Sequence, residues 1–565
     1  MLNIGQAATS TASIMTLSDS TGMSSSDIGS GSSVTPVINN TLTTTDFVNV
    51  KEVNIANGST YNNQGILTAD SGAGNINIEG TLNNENGRLF SRVNDDGALL
   101  NINGNGTLNL TNSQIQLGMM HDFYDGNVIL RANWSNTLNI VGTPKINLFE
   151  QSPTLDFEGA LDPATHEYTI KMRRNYEQYA YDAGTGSLAN VLVQNAAFLG
   201  NTSAHAADWQ KIYESIDFSK TDGSAVPGLL KQLNPSVYSN SSQATITTHS
   251  MLNNMNMLGS FSSLNAPPAH TSGGRGPAVD AAPQYNAWRN IVMPFSAYTD
   301  QHNGMRGFTN HNSGVIGAME RTLENGLTHG YHAALNHQST SEAGSRIKGE
   351  GLYLGTQATY APADWNGWSV FGSTRLGLEQ MRSHRNINIG GYTGTADADW
   401  TGYSGSLSLG TALTKEHGVM QSGPFAALDY SFAHRPSVHE DGDAIRTNLE
   451  SATYDSLRTQ LGYRLTTKPK ALDSYDSTQW QAHASVAWNH ELLSDNGSTS
   501  YQLTDLPGVT ITDKAETYGR DSMSIAAGII FKTPKRLDVG LTLGSDIYRH
   551  GGSSIYGKMN FEWKF

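Results

Sequence analysis

The side chains that most often do chemistry in enzymes are present in this chain, but they are not arranged for catalysis. The sequence contains no cysteine, which excludes thiol catalysis, disulfides and thiolate metal sites. Ser71, within 69–74, faintly resembles a serine-protease nucleophile, but its loop lacks the leading Gly and no companion His and Asp stand at a suitable spacing. The 17 His residues show no zinc-enzyme spacing. We therefore expect a non-enzymatic chain with no cofactor and no metal.

Three glutamates, Glu320, Glu379 and Glu562, fall within segments that are typical of β-strands. In the polar interior of a barrel such a carboxylate is most often balanced by an arginine, for which Arg321 and Arg375 are candidates. The register of these strands is open at this stage. No catalytic role is therefore assigned to any of the three glutamates.

The last segment of the chain, 555–565, indicates what kind of strand would position such groups. Successive side chains of a strand point to opposite faces. One face then carries Ile555, Gly557, Met559, Phe561, Trp563 and Phe565, and the other carries Tyr556, Lys558, Asn560, Glu562 and Lys564. A soluble sheet would bury the apolar face in a core, whereas a membrane β-barrel would turn it to lipid and keep the polar face in its lumen.

The composition favours β structure and argues against nucleic acid as a partner. The 565 residues suggest more than one region, and the 15% of charged residues with 58 Gly are typical of strands joined by many turns. A net charge of −15 without a basic cluster argues against binding to nucleic acid. No apolar run of about 18 residues predicts a spanning helix. Residues 1–8 lack the pattern of a secretory signal, so an exported protein would here be a fragment or a mis-started chain.

Short triplets of an apolar residue, Asn and an apolar residue recur between about Phe47 and Leu148. Examples are 53–55, 76–78 and 108–110. Spacings of roughly 20 to 30 residues predict the stacked coils of a right-handed parallel β-helix, in which each coil buries its apolar face against its neighbours. A β-sandwich with Asn-rich turns is the alternative.

The middle of the chain, 171–286, predicts a helical linker. A short helix is expected within Asn201–Ile216 and a long one at about 236–258, with Gly259 as its stop. The long helix would span about 35 Å. Its many Thr and Asn side chains make it too polar to face lipid, so we expect it inside a polar enclosure. A flexible Pro- and Gly-rich segment follows it.

The last region, 287–565, predicts an even number of antiparallel strands. The candidate strands are near 287–299, 312–323, 326–339, 346–361, 366–383, 397–413, 418–434, 447–466, 478–493, 518–533, 535–549 and 552–565. Tight turns alternate with longer polar connections near 300–311, 384–396, 435–446 and 494–517. This alternation is typical of a transmembrane β-barrel with short turns on one rim and long loops on the other.

From about residue 170 onward the chain resembles the translocator of a classical, monomeric autotransporter, the type V secretion system of Gram-negative bacteria. The resemblance rests on the order of the helix around Ala206–Asp208, the stretch Leu233–Tyr238, the opening Ala287–Trp288 and the ending Gly557–Phe565. It implies a 12-stranded antiparallel outer-membrane barrel with a helix in its lumen, and an N-terminal passenger, commonly a β-helix, delivered to the cell surface.

The resemblance also implies partners. Gly557, Phe561, Trp563 and Phe565 correspond to the terminal signal that the barrel assembly machinery reads, and periplasmic chaperones would assist before assembly. The alternative is that these side chains only contact outer-membrane lipid, and both can hold at once. A monomeric barrel is expected.

The pair Asn253–Asn254 resembles the Asn-Asn at which one autotransporter subgroup severs its own passenger inside the barrel. There the Asn side-chain nitrogen attacks its own main-chain carbonyl, which forms a succinimide and breaks the chain. However, Asn is abundant throughout this sequence, and the distance from Asn254 to Trp288 is long for that subgroup. An uncleaved or externally cleaved passenger is therefore the default expectation.

Taken together, these patterns predict four regions. They are a flexible segment 1–40, a β-helical passenger end with an autochaperone-like part at 41–170, the helical linker 171–286, and the barrel 287–565. The expected function is export and anchoring of an adhesin or surface-display stalk, with a possible host or cell-surface ligand. One alternative is the stem of a secreted protease or esterase whose catalytic domain lies upstream of residue 1. Another is a diffusion porin.

Overall fold

The computed structural model describes the chain except for several short segments and one longer one. The described residues are 2–4, 14–17, 26–28, 37–40, 48–50, 52–55, 57–58, 60–64, 66–69, 75–93, 101–119, 128–148, 152–259, 288–301, 307–472, 478–493, 498–514, 519–533, 537–548 and 551–564. They form two compact units. One comprises Met1–Ala180, Ala189–Leu229 and Ile389–Tyr392, and the other comprises Tyr181–Leu188, Leu230–Asn388 and Thr393–Phe565.

Three parallel β-sheets form the first part of the first unit. Their strands are Leu2–Ile4, Ser26–Ile28, Glu52–Ile55, Asn75–Ile78 and Asn101–Asn103; Ile14–Leu17, Val37–Asn40, Thr60–Asn63, Thr81–Asn83, Thr107–Asn109 and Asn139–Val141; and Val48–Val50, Ile66–Ala69, Arg88–Val93, Gln114–Met119 and Lys145–Leu148. Each strand pairs in parallel with its counterpart in the next coil, as Ile102 does with Ile76 and Ile76 with Val53. This parallel pairing confirms the predicted β-helix, and the alternative of a β-sandwich with Asn-rich turns is wrong. Several of these strands lie within 1–40, the segment predicted to be flexible, and the limits of the four regions stay predictions.

Apolar stacking inside the coils and amide stacking outside them explain why the triplets recur. Ile76, Leu82 and Leu108 are fully buried in one continuous core. An Asn that directly follows a buried apolar residue points outward and bonds to the Asn of the next coil. Asn109 Nδ2 donates to Asn83 Oδ1 at 2.9 Å, and Asn83 Nδ2 donates to Asn62 Oδ1 at 3.1 Å. The triplet thus supplies both the core and an amide ladder that fixes the register of the coils.

A small antiparallel sheet packs beside the last coils. Its strands are Val128–Asn133, Leu155–Leu161 and Glu167–Arg174. Trp134 stacks on Tyr168 with ring centroids 4.6 Å apart, and Tyr168 belongs to the same core as the coils. The sheet covers the end of the coil stack, as a terminal cap of a solenoid must.

Two helices, α1 (Ala183–Gln194) and α2 (Ala206–Asp217), come next. The predicted helix within 201–216 corresponds to α2, whereas α1 was not predicted. Asp217, at the end of α2, is 2% exposed. It accepts hydrogen bonds from Arg174 Nε at 2.9 Å, Tyr176 OH at 2.8 Å and Thr154 Oγ1 at 2.9 Å. This buried carboxylate therefore fastens α2 to the antiparallel sheet.

Helices α3 (Val226–Leu233) and α4 (Val237–Gly259) complete the helical part, and α4 matches the predicted long helix to within a residue. None of the helices in the described residues is both long enough and apolar enough to cross a membrane. Helix α4 is long enough but too polar, because most of its buried side chains are polar, as Ser239, Thr245 and His249 are. The Pro- and Gly-rich segment 260–286 lies outside the described residues.

Twelve antiparallel strands, numbered here β1 to β12, form a closed barrel. They are Trp288–Gln301, Phe308–Thr322, Leu327–Glu342, Ser345–Tyr360, Trp368–Ile389, Tyr392–Leu413, Met420–Arg435, Ala452–Thr467, Gln479–Glu491, Asp521–Lys532, Leu537–Tyr548 and Gly552–Lys564. Each strand pairs with its sequence neighbours, and β12 pairs with β1 to close the cylinder. The predicted strand number is thus confirmed.

The connection between β5 and β6 differs most from the prediction. Residues 384–396, expected to be a loop, are continuous strand except for the turn at Gly390-Gly391, so that β5 and β6 are each 22 residues long. Two other long connections were predicted correctly, but they carry strands of their own. Val438–His439, Thr447–Leu449, Ser498–Leu503 and Ile511–Lys514 pair into a four-stranded sheet.

Candidate functional site: the barrel wall and its lumen

The outer wall of the barrel is apolar. Large side chains such as Leu335, Leu376 and Leu543 are 58%, 65% and 60% exposed. Contiguous apolar surface on this scale is incompatible with water and is what a transmembrane barrel presents to lipid. The two-residue period of the strands therefore places the apolar face outside and the polar face in the lumen.

The terminal strand β12 follows the predicted division of faces. Ile555 and Trp563 are 60% and 39% exposed, whereas Tyr556, Lys558 and Glu562 are at most 7% exposed. Trp563 lies opposite Leu537 on β11 and opposite Asn290 on β1. The outward-facing residues Gly557, Phe561 and Trp563 thus lie at the closing seam of the barrel. Phe565 and Ala287 lie outside the described residues.

The three predicted lumen glutamates all point inward, but their partners differ from the expectation. Arg289 Nη2 contacts Glu320 at 2.7 Å, and Arg289 Nη1 lies 3.6 Å from Glu562. Glu379 instead accepts hydrogen bonds from Tyr353 OH at 2.9 Å and Ser404 Oγ at 2.6 Å. Arg321 follows Glu320 directly in the strand, so the alternation of the strand places it on the opposite face.

Helix α4 lies in the lumen and contacts β2, β3, β4, β7 and β8. One side of its contact is apolar. Leu252, which is fully buried, shares a cluster with Met293 and Phe295 of β1. The other side is polar, since His249 Nε2 lies 2.8 Å from Ser404 Oγ, and the His249 ring meets Tyr353 edge-on at 5.2 Å. The lumen is therefore filled by a helix that matches its two-sided lining.

The start of α4 is held by a buried ion pair near the rim that bears the four-stranded sheet. Arg385 donates to both carboxylate oxygens of Glu440, at 2.8 and 3.0 Å, with both side chains fully buried. Arg385 also donates to the carbonyl oxygen of Leu233 at 3.3 Å, and Glu440 accepts from Tyr238 OH at 2.9 Å. The pair thus grips both the end of α3 and the first turn of α4.

A second carboxylate reinforces this grip. Glu342, at the end of β3, accepts from Ser236 Oγ at 2.9 Å and Asn240 Nδ2 at 2.6 Å. Lys231 Nζ lies 3.5 Å from the same carboxylate. We call Arg385, Glu440 and Glu342 the rim clamp. It joins the helical segment to the barrel wall at three places, which are β5 for Arg385, the end of β3 for Glu342 and the connection after β7 for Glu440.

The predicted Asn pair lies deeper in the lumen, within α4. Asn253 and Asn254 are 1% and 3% exposed. Asn253 Oδ1 accepts from Arg375 Nη1 at 3.3 Å, and Asn254 Oδ1 accepts from Gln460 Nε2 at 3.2 Å. In the part of the chain that the structure describes, neither amide nitrogen has a hydrogen-bond partner. A cavity lined by Asn254, Gln460 and Arg464 adjoins the pair.

Sequence reasoning missed the rim clamp, although one signal for it was available. Arg385 stands six residues after Glu379 in the same strand, and an even separation places both side chains on the same face. The continuation of β5 through residue 389 was masked by the polar composition of 384–396. Glu440 sits in a long connection, and sequence alone gave no sign of its position.

Comparison with known proteins gives a family match within the barrel. Residues 292–544 match the family model of the autotransporter beta-domain. Similar solved structures include the translocator domain of autotransporter NalP from Neisseria meningitidis, which is 13% identical, covers 59% of this chain and 100% of its own, and has a TM-score of 0.44. The beta domain of the Bordetella autotransporter BrkA is 15% identical, with 50% of this chain and 100% of its own covered and a TM-score of 0.38. The search of curated proteins found no match.

The family match and the closed barrel define the class: the C-terminal region is the β-domain of an autotransporter, located in the outer membrane. The barrel is accordingly the translocator of an outer-membrane autotransporter, the unit that exports a passenger. The predicted family, location and export function are confirmed.

Proposed function

We propose that the passenger is a β-helical stalk for adhesion or surface display, kept on the cell by the barrel and by α4. The observation that carries the proposal is the coil stack itself. Its outer surface is a regular amide ladder, exemplified by Asn83 and Asn109, and among the described residues no group of three or more His, Asp or Glu could hold a metal. A regular, extended face suits multivalent contact with a surface ligand.

The experiment compares intact cells that express the chain with cells that lack it. We expect added protease to release β-helical fragments from intact cells, and we expect the expressing cells to attach better to a panel of host and bacterial surfaces. If shaved fragments carry protease or esterase activity instead, the alternative of an enzyme stem gains support. If no passenger is accessible outside and the barrel conducts ions freely, the porin alternative replaces the proposal.

We also propose that Gly557, Phe561, Trp563 and Phe565 form the signal read by the barrel assembly machinery. The outward direction of Phe561 and Trp563 and their place at the closing seam support this role. A matched pair of variants separates recognition from simple contact with lipid. Trp563→Ala should slow assembly strongly, whereas Met559→Ala, which removes a similarly outward side chain, should not. If the two variants assemble at equal rates, these side chains contact lipid and are not read by the assembly machinery.

For passenger release we propose cleavage between Asn253 and Asn254 as a second candidate activity. Asn253 Nδ2 would attack the main-chain carbonyl carbon of Asn253, and the α-amine of Asn254 would leave with the proton that the amide loses. Arg375, on Asn253 Oδ1, would stabilise negative charge on the amide as its proton departs. The unpartnered amide nitrogens favour this candidate, although the carbonyl would first have to be freed from the hydrogen bonding of α4.

The products of this reaction have defined ends. We expect a barrel fragment whose N-terminus is Asn254 and a passenger that ends in a succinimide or its hydrolysis products. Asn253→Gln should abolish the fragment because its longer side chain cannot close the same five-membered ring, while Asn256→Gln serves as the matched control. An intact chain in purified outer membranes would establish a retained passenger instead.

A further inference from the structure

The outer wall of the barrel carries one cluster of cationic side chains just beyond its apolar band. On the described barrel strands, the Lys and Arg residues that face outward in the half towards the four-stranded sheet are Arg346, Lys348 and Arg382. Lys348 lies directly opposite Arg382 across β4 and β5, and Arg346 lies opposite His384. All four side chains are exposed.

The register fixes the spacing of this cluster. Neighbouring strands are about 4.8 Å apart, and successive residues on one face are about 6.6 Å apart. The four side chains therefore occupy a patch of roughly 5 by 7 Å at their Cα positions. A single phosphate group can contact two or more cations at that spacing, and guanidinium groups suit its oxygens well.

The position along the strand places the cluster at the level of lipid headgroups. The outward residues of β4 run from Tyr360 through Leu354 and Leu352 before the first charge, Glu350. That run covers about 26 Å along the strand, or about 20 Å of height at the tilt of a transmembrane barrel, which accounts for most of the apolar band. Lys348 and Arg346 come one and two positions beyond Glu350 on the same face.

The carboxylates around the cluster leave two of its cations available. Arg382 Nε contacts Asp399 Oδ1 at 2.8 Å, and His384 Nδ1 lies 2.6 Å from Asp397 Oδ1. Arg346 and Lys348 form no salt bridge with the described residues, and Arg346 Nε donates only to Ser341 Oγ, at 3.2 Å. Glu350 is the third carboxylate on this face and stands on the membrane side of Lys348.

We propose that Arg346 and Lys348, supported by Arg382, bind a phosphate of the phosphorylated glycolipid that forms the outer leaflet of the outer membrane. The rim at which the barrel begins and ends is the periplasmic one, and the opposite rim, which carries the four-stranded sheet in its longest connections, is external. The cluster is on the external side and faces away from the lumen, so a lipid headgroup is the phosphate source that it meets. This inference rests on the outer-membrane location of the barrel and not on the nature of the passenger.

The test uses the purified full chain in detergent, with bisphosphorylated lipid A and its dephosphorylated form as probes and binding measured by native mass spectrometry. Each cation near a charged lipid surface contributes about a fivefold change in affinity, which corresponds to about 1 kcal/mol. The double variant Arg346→Gln/Lys348→Gln should therefore bind the bisphosphorylated probe about 25-fold more weakly. The exchange Arg346→Lys/Lys348→Arg keeps both charges and should retain binding.

The matched control is Arg321→Gln/Lys470→Gln, which removes the same charge from the periplasmic side and should bind within twofold of the unmodified chain. Heat-modifiable migration on gels verifies that every variant contains a folded barrel. Equal binding of the dephosphorylated probe, or equal losses in the test and control variants, would overturn the proposal. Displacement of the lipid by millimolar inorganic phosphate would overturn the assignment to a lipid headgroup.

Discussion

The rim clamp predicts how firmly α4 closes the barrel. In the variant Arg385→Ala, the carboxylate of Glu440 stays buried without its cation. Removing one partner of a fully buried ion pair costs about 3–5 kcal/mol. Both side chains are fully buried, so solvent screening does not reduce this figure. Arg385 also holds the carbonyl oxygen of Leu233, and its loss frees the junction between α3 and α4.

The perturbation should appear as a change in the equilibrium between a filled and an open lumen. A cost of 3–5 kcal/mol changes an equilibrium constant by a factor of about 10² or more. We therefore expect single channels of Arg385→Ala in planar bilayers to open far more often than those of the unmodified chain. The contacts of Glu342 with Ser236 and Asn240 remain, so closure should not be lost completely.

A double variant tests the physical reason. Arg385→Leu/Glu440→Leu removes both charges together, and an apolar pair of similar volume is often as stable as a buried ion pair. Its channels should stay closed more often than those of either single variant. If Arg385→Ala, with a folded barrel, opens no more often than the unmodified chain, the clamp does not control closure and the reasoning is refuted.

Further outcomes concern the first unit. Asp217→Ala should lower the free energy of unfolding of this unit by about 3 kcal/mol, because buried donors lose their acceptor. Denaturant titration of tryptophan fluorescence follows this change, and half-exposed Asp208→Ala serves as the control with a smaller expected effect. Burial raises the pKa of Tyr213 well above its usual value, so the folded form keeps a proton that the unfolded form releases. The free energy of unfolding should therefore fall as pH rises above about 10, and Tyr213→Phe should weaken that fall. Leu108→Ala should lower the free energy of unfolding of this unit by about 2–5 kcal/mol. The passenger should then become accessible to added protease at the cell surface more slowly, whereas Asn105→Ala should change neither quantity.

The two-residue period predicted most of the barrel from the sequence. The faces of β12 follow directly from the positions of Ile555, Tyr556 and Trp563, since lipid and lumen impose opposite polarity on alternating residues. The coil stack was predictable for a related reason. Each triplet must supply an apolar core residue and an outward Asn at every turn, and the repeat is therefore visible in one sequence.

Contacts between distant segments were not predictable in the same way. Arg385 and Glu440 belong to a strand extension and a connection, and neither residue carries a local sign of its partner. Arg289 was overlooked because it is the second residue of β1. So close to the start of a strand, the alternation of residues is too short to show which face points into the lumen. The position of Asn253 in the helix was predicted, but its contact with Arg375 depends on the rotation of α4 within the lumen, which periodicity does not determine.

The presence of α4 inside the barrel limits how many molecules each barrel can export. Because the conduit and its cargo are one polypeptide, and the end of the cargo occupies the conduit, each barrel delivers one molecule only. The number of passengers that a cell exports therefore equals the number of barrels inserted, and exporting more of them requires more membrane area. Such a protein behaves as a stoichiometric device and not as a catalyst of transport.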